Sequence, residues 1–593
     1  MRIGLLTESG YPYVGGEGGL WCDRLVRGLD RHEFDVYAFS SSEAQEAAGR
    51  VPLPPQVGRV RTAPLWTAED DGVVYGRRAR RRFAEHYGEL AAVLCAANDP
   101  VTPGEAPARP AEAPARPAEA PARPAEAPAT PGEAPARPGE NRMSPQADRF
   151  ASALYGLAEL ARDEGGLLGA LRSETAVRAL ERACRAPGAQ STARAARVAD
   201  LLTVAAHLER TLRPLTLDWY DEEGLGAVDL CHATAGGVAA LPGLLAHRRF
   251  GIPLLVTEYG VRLRTHYLTR PDSPPAVRSL LAAFHGRLAA EIYHRAAFIT
   301  PGNTHARRWQ ERCGADRAKL RTVHPGMDAA PFAAAGESQA SADPHTLVWV
   351  GRVEPAKDLV SLLHAFAEIR KEEPKTRLRI VGGPSGPDGA VYLGHCKALA
   401  AQLFPDEAAG PHCVGDNPVS FEEIGAPGLP TPADAYASGA VTVLSSVVEG
   451  FPVGLVEAMF CGRATVSTDV GAVVEAIGGT GLVVPPRNPR ALADACVALL
   501  RDPERRARLG AAARARALEL FTVEQNVSAF HTLYLETVAR TPAHRPLLDD
   551  TGDPLPFAHP AEAHLPGHWT DAAFRAGPRW AADTPVPAPE AAR

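Results

Sequence analysis

The stretch VVEGFPVGLVEAMFCG, Val447 to Gly462, holds two carboxylates, Glu449 and Glu457, with seven residues between them. The run AVTVLSS just before it is apolar and β-branched, which predicts a buried strand. Pro452 suits the first turn of a helix. Glu449 therefore falls at the carboxyl end of a strand, where open α/β sheets place their ligands. Glu457 falls in the second turn of the following helix, among Val456, Ala458 and Met459. A carboxylate there is costly to bury unless something binds it, and sugar hydroxyls are suitable partners. The start of that helix carries free N–H groups that favour an anion. Taken alone, each acid reads as surface charge, and the pair together first suggests a two-carboxylate hydrolase.

Outward from this stretch, short apolar runs alternate with helical ones. RIGLLT, FDVYAFS, VDLCHAT, IPLLVTE and AFITP read as parallel strands, with helices at Leu157–Ala170 and Ser279–Arg295 between them. After a Ser/Ala/Gly-rich passage at 334–343 a second series follows: TLVWVGRV, LRIVGG, AVTVLSS, ATVSTDVG and GLVVPP. Its helices include Leu359–Lys371 and Pro489–Arg501. Two βαβ series predict an α/β chain of two Rossmann-like domains facing each other across a cleft. The expected boundaries are 1–333 for the first, 344–520 for the second, a terminal helix at 521–540 packing back on the first, and a Pro/Ala-rich tail at 541–593. Residues 104–140 repeat APARPAE, inside an insert bounded by 101 and 142. Regular Pro blocks helix and sheet, so this segment reads as extended or disordered.

Bulk composition narrows the function. Among 593 residues, 45% are hydrophobic and 22% charged, a globular balance. Lys+Arg 63 against Asp+Glu 70 leaves a net charge of −7, which argues against nucleic acid as a partner. The local basic cluster YGRRARRRF, 75–83, reads as a solvated helix face, or as a contact to anionic lipid or acceptor. The nine cysteines form no CxxC pair, which suggests reduced core thiols and no zinc site. MRIGLLTESG is broken by Glu8 and does not read as a signal peptide. No run approaches the ~20 apolar residues of a membrane span, so a cytoplasmic protein is expected, with peripheral membrane or synthase-complex association left open. A nicotinamide enzyme is disfavoured, because neither GGEGG at 15–19 nor RIVGGPSGPDG at 379–389 has GxGxxG spacing.

A second motif is VGRVEPAKD, 350–358. Arg352 and Lys357 flank a strand-to-helix turn, a place suited to a pyrophosphate. VVEGFPVGLVEAMFCG and VGRVEPAKD together resemble the retaining glycosyltransferases of the GT-B fold, family 4. STDVGAVVEAI and GLVVPPRNPRALADA continue the likeness. At the front, TESGYPYVGGEGGLWCDRLVRGL and CHATAGGVAALPGLLAHRRFGIPLLVTEYG resemble the Pel-polysaccharide-type members. The resemblance covers both halves but neither the insert nor the tail.

It implies roles by position. Arg352 and Lys357 would neutralise the diphosphate of a nucleotide-sugar donor, and Glu457 would bind its ribose. Glu449 would contact the transferred sugar, with backbone amides of Gly450, Phe451, Pro452, Val453 and Gly454 nearby. His232 would reach the donor sugar from the acceptor side, and Gly15 and Gly16 would let the backbone approach the diphosphate. The catalytic set is thus Glu449, His232, Lys357 and Arg352, with no metal and no cofactor. UDP-glucose is the donor suggested first, and the acceptor is a saccharide or other hydroxyl. Departures from the pattern are Glu17 within GGEGG, HPGMD at 324–328, and Tyr259 in TEYG. An epimerase of the same fold and a non-catalytic sugar-nucleotide scaffold are the competing readings.

Overall fold

The computed structural model describes residues 1–14, 17–68, 71–96, 144–269, 272–337, 343–405, 417–426 and 428–541. Gly15, Gly16, the insert at 101–142 and the tail beyond Thr541 lie outside the described residues.

The first sheet comprises β1 (Arg2–Glu8), β2 (Glu33–Ser40), β3 (Val57–Pro64), β4 (Leu230–Ala233), β5 (Leu254–Thr257) and β6 (Phe298–Thr300), in the order β3-β2-β1-β4-β5-β6. The second comprises β7 (Asp343–Val350), β8 (Arg377–Val381), β9 (Val419–Glu422), β10 (Gly439–Leu444), β11 (Ala464–Thr468) and β12 (Leu482–Val484), in the order β12-β11-β10-β7-β8-β9. Every neighbouring pair is parallel. Both sheets have the doubly wound order, in which the direction of strand succession reverses beside β1/β4 and beside β7/β10. Ligand crevices are expected at those two carboxyl edges.

Four helices frame the cleft: α1 (Glu17–Gly28), α2 (Arg262–Thr269), α3 (Val453–Phe460) and α4 (Val523–Arg540). Successive residues of β1 point to opposite faces of the sheet. Ile3 and Leu5 pack with Trp21, Leu25 and Val26 of α1 and Phe530 and Tyr534 of α4. Leu6 enters the opposite core, with Tyr37, Phe39 and the helices Arg77–Cys95 and Pro145–Glu164. Among the described residues, no helix is long and apolar enough to cross a membrane.

Three expectations change. The helical stretch at Leu157–Ala170 is two helices, Pro145–Glu164 and Leu167–Leu171. Gly165 and Gly166 separate them with φ of 67° and 63°, a left-handed pair that ends the α-helix. Strands β3 and β9 also enter the sheets, although neither sequence reads as a strand. Each lies at an edge, where one side needs no apolar cover.

The chain passes between the halves twice, and the two passes are joined. Met327 donates its N–H to Phe521 O at 2.8 Å, and Val523 donates to Met327 O at 3.2 Å. Beyond this bridge α4 runs back along the first half. Trp21 Nε1 donates to Asn526 Oδ1 at 3.1 Å, and Asn526 Nδ2 donates to His324 O at 2.7 Å. Tyr534 is fully buried there. A buried aromatic contributes about 2 kcal/mol through the area it removes from water.

His232 belongs to this same clamp. It is 0% exposed, and its ring nitrogens meet Tyr534 Oη at 2.6 Å and Thr257 Oγ1 at 2.7 Å. Burial pulls its pKa from 6.5 down to about 3. The unfolded chain therefore takes up a proton below about pH 6.5 that the folded protein refuses until about pH 3. Stability falls as pH drops through that window, by up to about 1.4 kcal/mol per pH unit.

Two outcomes are expected. Substituting His232→Asn flattens the loss of unfolding free energy between about pH 6.5 and about pH 4 relative to wild type in denaturant titrations, and equal slopes would refute the assignment. Gly28→Ala places a Cβ 2.5 Å from Val527 Cγ2, where α1 meets α4. Such overpacking costs about 1–3 kcal/mol. Thermal melts should show the loss, and the double variant with Val527→Ala should recover most of it.

Candidate active site

The site forms at the carboxyl edge of β7 and β10, where the loops leaving the two strands are laced together. Gly351 N–H donates to Val381 O at 3.1 Å. Gly382, at φ 145°, lies so close that a Cβ there would stand 1.8 Å from Gly351 O. A larger residue at 382 would push the β7 loop off its path. That loop continues into a 3-10 turn, Pro355–Lys357. Val447 N–H donates to Ala356 O at 2.9 Å, and Ser445 Oγ donates to Lys357 O at 2.7 Å.

This lacing brings Lys357 to Glu449. Lys357 Nζ donates to Glu449 Oε1 at 2.5 Å, and Ser446 Oγ donates to the same oxygen at 2.7 Å. The two side chains are only 18% and 9% exposed, so water screens the pair weakly. Lys357 has three N–H donors, so holding Glu449 leaves it able to bind a phosphate as well. Arg352 lies two residues past the end of β7 with its side chain exposed.

Pro452 is the N-cap of α3. No side chain caps this helix start, and its first turn holds no acid. Its electropositive end is thus left to a ligand. Gly454 sits close beneath: a Cβ there would meet Tyr436 Oη at 3.1 Å and Val350 O at 3.4 Å. One turn further on, half-buried Glu457 accepts a hydrogen bond from Tyr436 Oη at 2.8 Å. Burial, and next the Glu457 charge, push the Tyr436 phenol far above its usual pKa, which keeps it a donor.

Between the halves lies a cavity of about 800 Å³. Phe451, Val453 and Glu457 line its C-terminal side. The hinge residues Pro325–Asp328 line its back, and the loops after β1, β4 and β5 line its N-terminal side. Lys357, Glu449 and Arg352 lie outside this lining, around the 449–453 loop from it. Lys357 and Glu449 are thus in contact, while Glu457 faces the adjoining hollow. Gly450 and Pro452 serve the loop between them; Gly450 O accepts Ala472 N–H at 3.1 Å. Phe451 also packs edge-on against Phe521 of the hinge, ring centres 5.5 Å apart.

His232 does not join this set. Sequence reasoning puts it on the cleft wall; the structure puts it behind the wall, both ring nitrogens engaged by Tyr534 and Thr257. Through Tyr534 it helps hold α4. Gly15 and Gly16 lie outside the described residues, though Gly18 and Gly19, in the first turn of α1, line the cavity.

Sequence reasoning also misses residues on the N-terminal wall. Glu8 pairs with Arg262. Glu258 accepts the Arg262 N–H at 3.1 Å and the Tyr293 hydroxyl. Burial raises the Glu258 pKa, and these hydrogen bonds oppose the rise. Arg264 reaches across the cleft to Glu449 O at 2.9 Å. Their signal is faint: Arg262 and Arg264 closely follow TEYG, the stretch in which Tyr259 departs from the family pattern. Among the described residues, no group of three or more His, Cys, Asp or Glu is placed to hold a metal ion.

Comparison with known proteins agrees with this architecture. Residues 344–502 match the family described as glycosyl transferases group 1. Residues 1–105 and 135–318 match a domain of unknown function, DUF3492. The D-inositol 3-phosphate glycosyltransferase of Kribbella flavida is 30% identical over 313 residues, covering 50% of this chain and 69% of that relative. The protein of the same name from Kineococcus radiotolerans is 32% identical over 302 residues, 46% of this chain and 64% of its own length. Sucrose-phosphate synthase from Thermosynechococcus elongatus superposes with a TM-score of 0.50 at 17% identity, covering 91% of this chain and 100% of that one. The chain belongs to the group 1 glycosyl transferases, with the two facing Rossmann-like halves of the GT-B fold.

Proposed function

We propose that the protein is a retaining glycosyltransferase of family 4, of the Pel-polysaccharide type. It would move a sugar from a nucleotide-sugar donor to a saccharide or other hydroxyl acceptor, in the cytoplasm and in the service of exopolysaccharide synthesis. UDP-glucose is the first donor to test. The observation that carries this reading is the Lys357–Glu449 contact beside the uncapped start of α3, next to a cavity that Glu457 lines.

In this reading the donor diphosphate lies at the start of α3. Lys357 and Arg352 stabilise the charge that grows on it as the bond from the anomeric carbon to the phosphate oxygen breaks. Glu457, oriented by Tyr436, accepts hydrogen bonds from the ribose. Glu449, fixed by Lys357 and Ser446, orients the sugar. The acceptor oxygen bonds to the anomeric carbon on the face the phosphate leaves. Its proton passes to a phosphate oxygen, so no protein nucleophile is needed. The two acids thus serve two ends of one donor, unlike a hydrolase pair. Cleft closure excludes water and limits donor hydrolysis.

The test is UDP release from UDP-glucose with a panel of saccharide acceptors, product stereochemistry being read by NMR. Lys357→Ala and Glu449→Ala should each slow release by about 10²-fold or more, as loss of a transition-state charge partner does elsewhere. Glu457→Ala should chiefly raise KM for donor. Wild-type release by Glu449→Ala would end the proposal. Isomerised free sugar without transfer would favour the epimerase, and donor binding without release the scaffold.

A further inference from the structure

We propose that Arg264 is a positioning residue through which the N-terminal half sets the loop that carries Glu449; this rests on the transferase reading. Arg264 Nη2 donates to the main-chain oxygen of Glu449 at 2.9 Å, from the opposite side of the cleft. The same residue's carboxylate is held by its own half, through Lys357 and Ser446. Glu449 is therefore gripped by both halves, at its backbone from one and at its side chain from the other.

The helix that carries Arg264 is firmly based. Arg262 N–H, in the first turn of α2, donates to Glu258 Oε1 at 3.1 Å, and its guanidinium pairs with Glu8. Glu8 ends β1 and Glu258 directly follows β5, so α2 is tied to the carboxyl edge of the first sheet. The guanidinium reaches Glu449 from a helix held firmly at its base. It stays charged even though burial lowers its pKa, and it presents its donors in a fixed plane.

A second contact supports the same loop from its far end. Thr304 N–H, from the first half, donates to Glu475 Oε2 at 2.6 Å. Glu475 sits in the helix Val473–Ile477, which follows Gly471 and Ala472. Ala472 holds Gly450 O, and a Cβ on Gly471 would lie 2.5 Å from Glu449 O. The segment at 449–450 is thus wedged between two points that the N-terminal half supports. Opening of the cleft removes both supports. Closure restores them, and with them the geometry in which Glu449 and Lys357 meet the donor.

The role differs from that of a donor ligand. Arg264 acts on Glu449 through its backbone, so its loss should spare nucleotide binding and impair turnover. The experiment uses the full chain with Arg264→Ala and Arg264→Lys. With UDP and UDP-glucose as probes, Arg264→Ala should keep the Kd for UDP within about threefold and lose at least about tenfold in kcat. Arg264→Lys, which restores a cationic donor, should recover most of that loss. Hydrogen–deuterium exchange of the 447–454 segment, without substrate, should speed up in Arg264→Ala and return toward wild type in Arg264→Lys. Unchanged kcat, equal losses in UDP binding and turnover, or unchanged exchange would each overturn the assignment. If the wild type transfers no sugar at all, the transferase reading fails, and the exchange measurement still decides whether Arg264 sets the loop.

Discussion

The bridge between Met327 and the Phe521–Val523 segment sets how the two halves meet. Two hydrogen bonds join the outgoing and returning chain where they cross between the sheets. Each half alone would present a carboxyl edge with loops and helix starts but no opposite wall. With the crossings joined, and α4 anchored through Trp21, Asn526, His232 and Tyr534, the edges face one another across a hollow. The hinge itself lines that hollow through Pro325–Asp328, so any change in the angle between the halves alters the cavity wall.

On that frame the site concentrates charge where water is scarce. Lys357 and Glu449 are largely covered, so their attraction is stronger than that of a surface pair. The covering comes from the lacing of the β7 and β10 loops, which leaves little room for either side chain to swing away. In the proposed reading, a diphosphate at the start of α3 would meet oriented N–H groups, with Lys357 held at Glu449 in the loop just before them. In that proposal little reorganisation would be left for the reaction itself, which is how electrostatic stabilisation becomes effective. The N-terminal half contributes a different set of groups, with Glu8 paired to Arg262 and Glu258 held by Arg262 and Tyr293.

Much of this is legible in the sequence because parallel strands buried on both faces read as continuous apolar runs. β1, β5, β7 and β10 stand out for that reason. β3, with VGRVRTAP, and the short β9, with VSFE, do not, because an edge strand tolerates charge and polar residues. The Leu157–Ala170 stretch keeps helical periodicity across Gly165–Gly166, and periodicity alone does not report the reversal of φ there. His232 shows the limit on single residues. A histidine at the end of a strand suits a ligand or a clamp equally well, and only the arrival of Tyr534, 302 positions later, decides between them.

The amino-acid sequence by itself determined the two α/β halves, the helix start after Pro452 and the place of Glu449 and Glu457 on one strand-to-helix passage. These follow from local rules: apolar runs, turn residues and the spacing of side chains along a helix. Only the tertiary structure decided that Lys357 touches Glu449 across 92 positions, that Glu457 opens into a separate hollow, and that Arg264 crosses the cleft to the Glu449 backbone. The reason is physical. Such contacts depend on how loops from different strands are laced and on the angle between two sheets, and neither leaves a periodic trace along the chain.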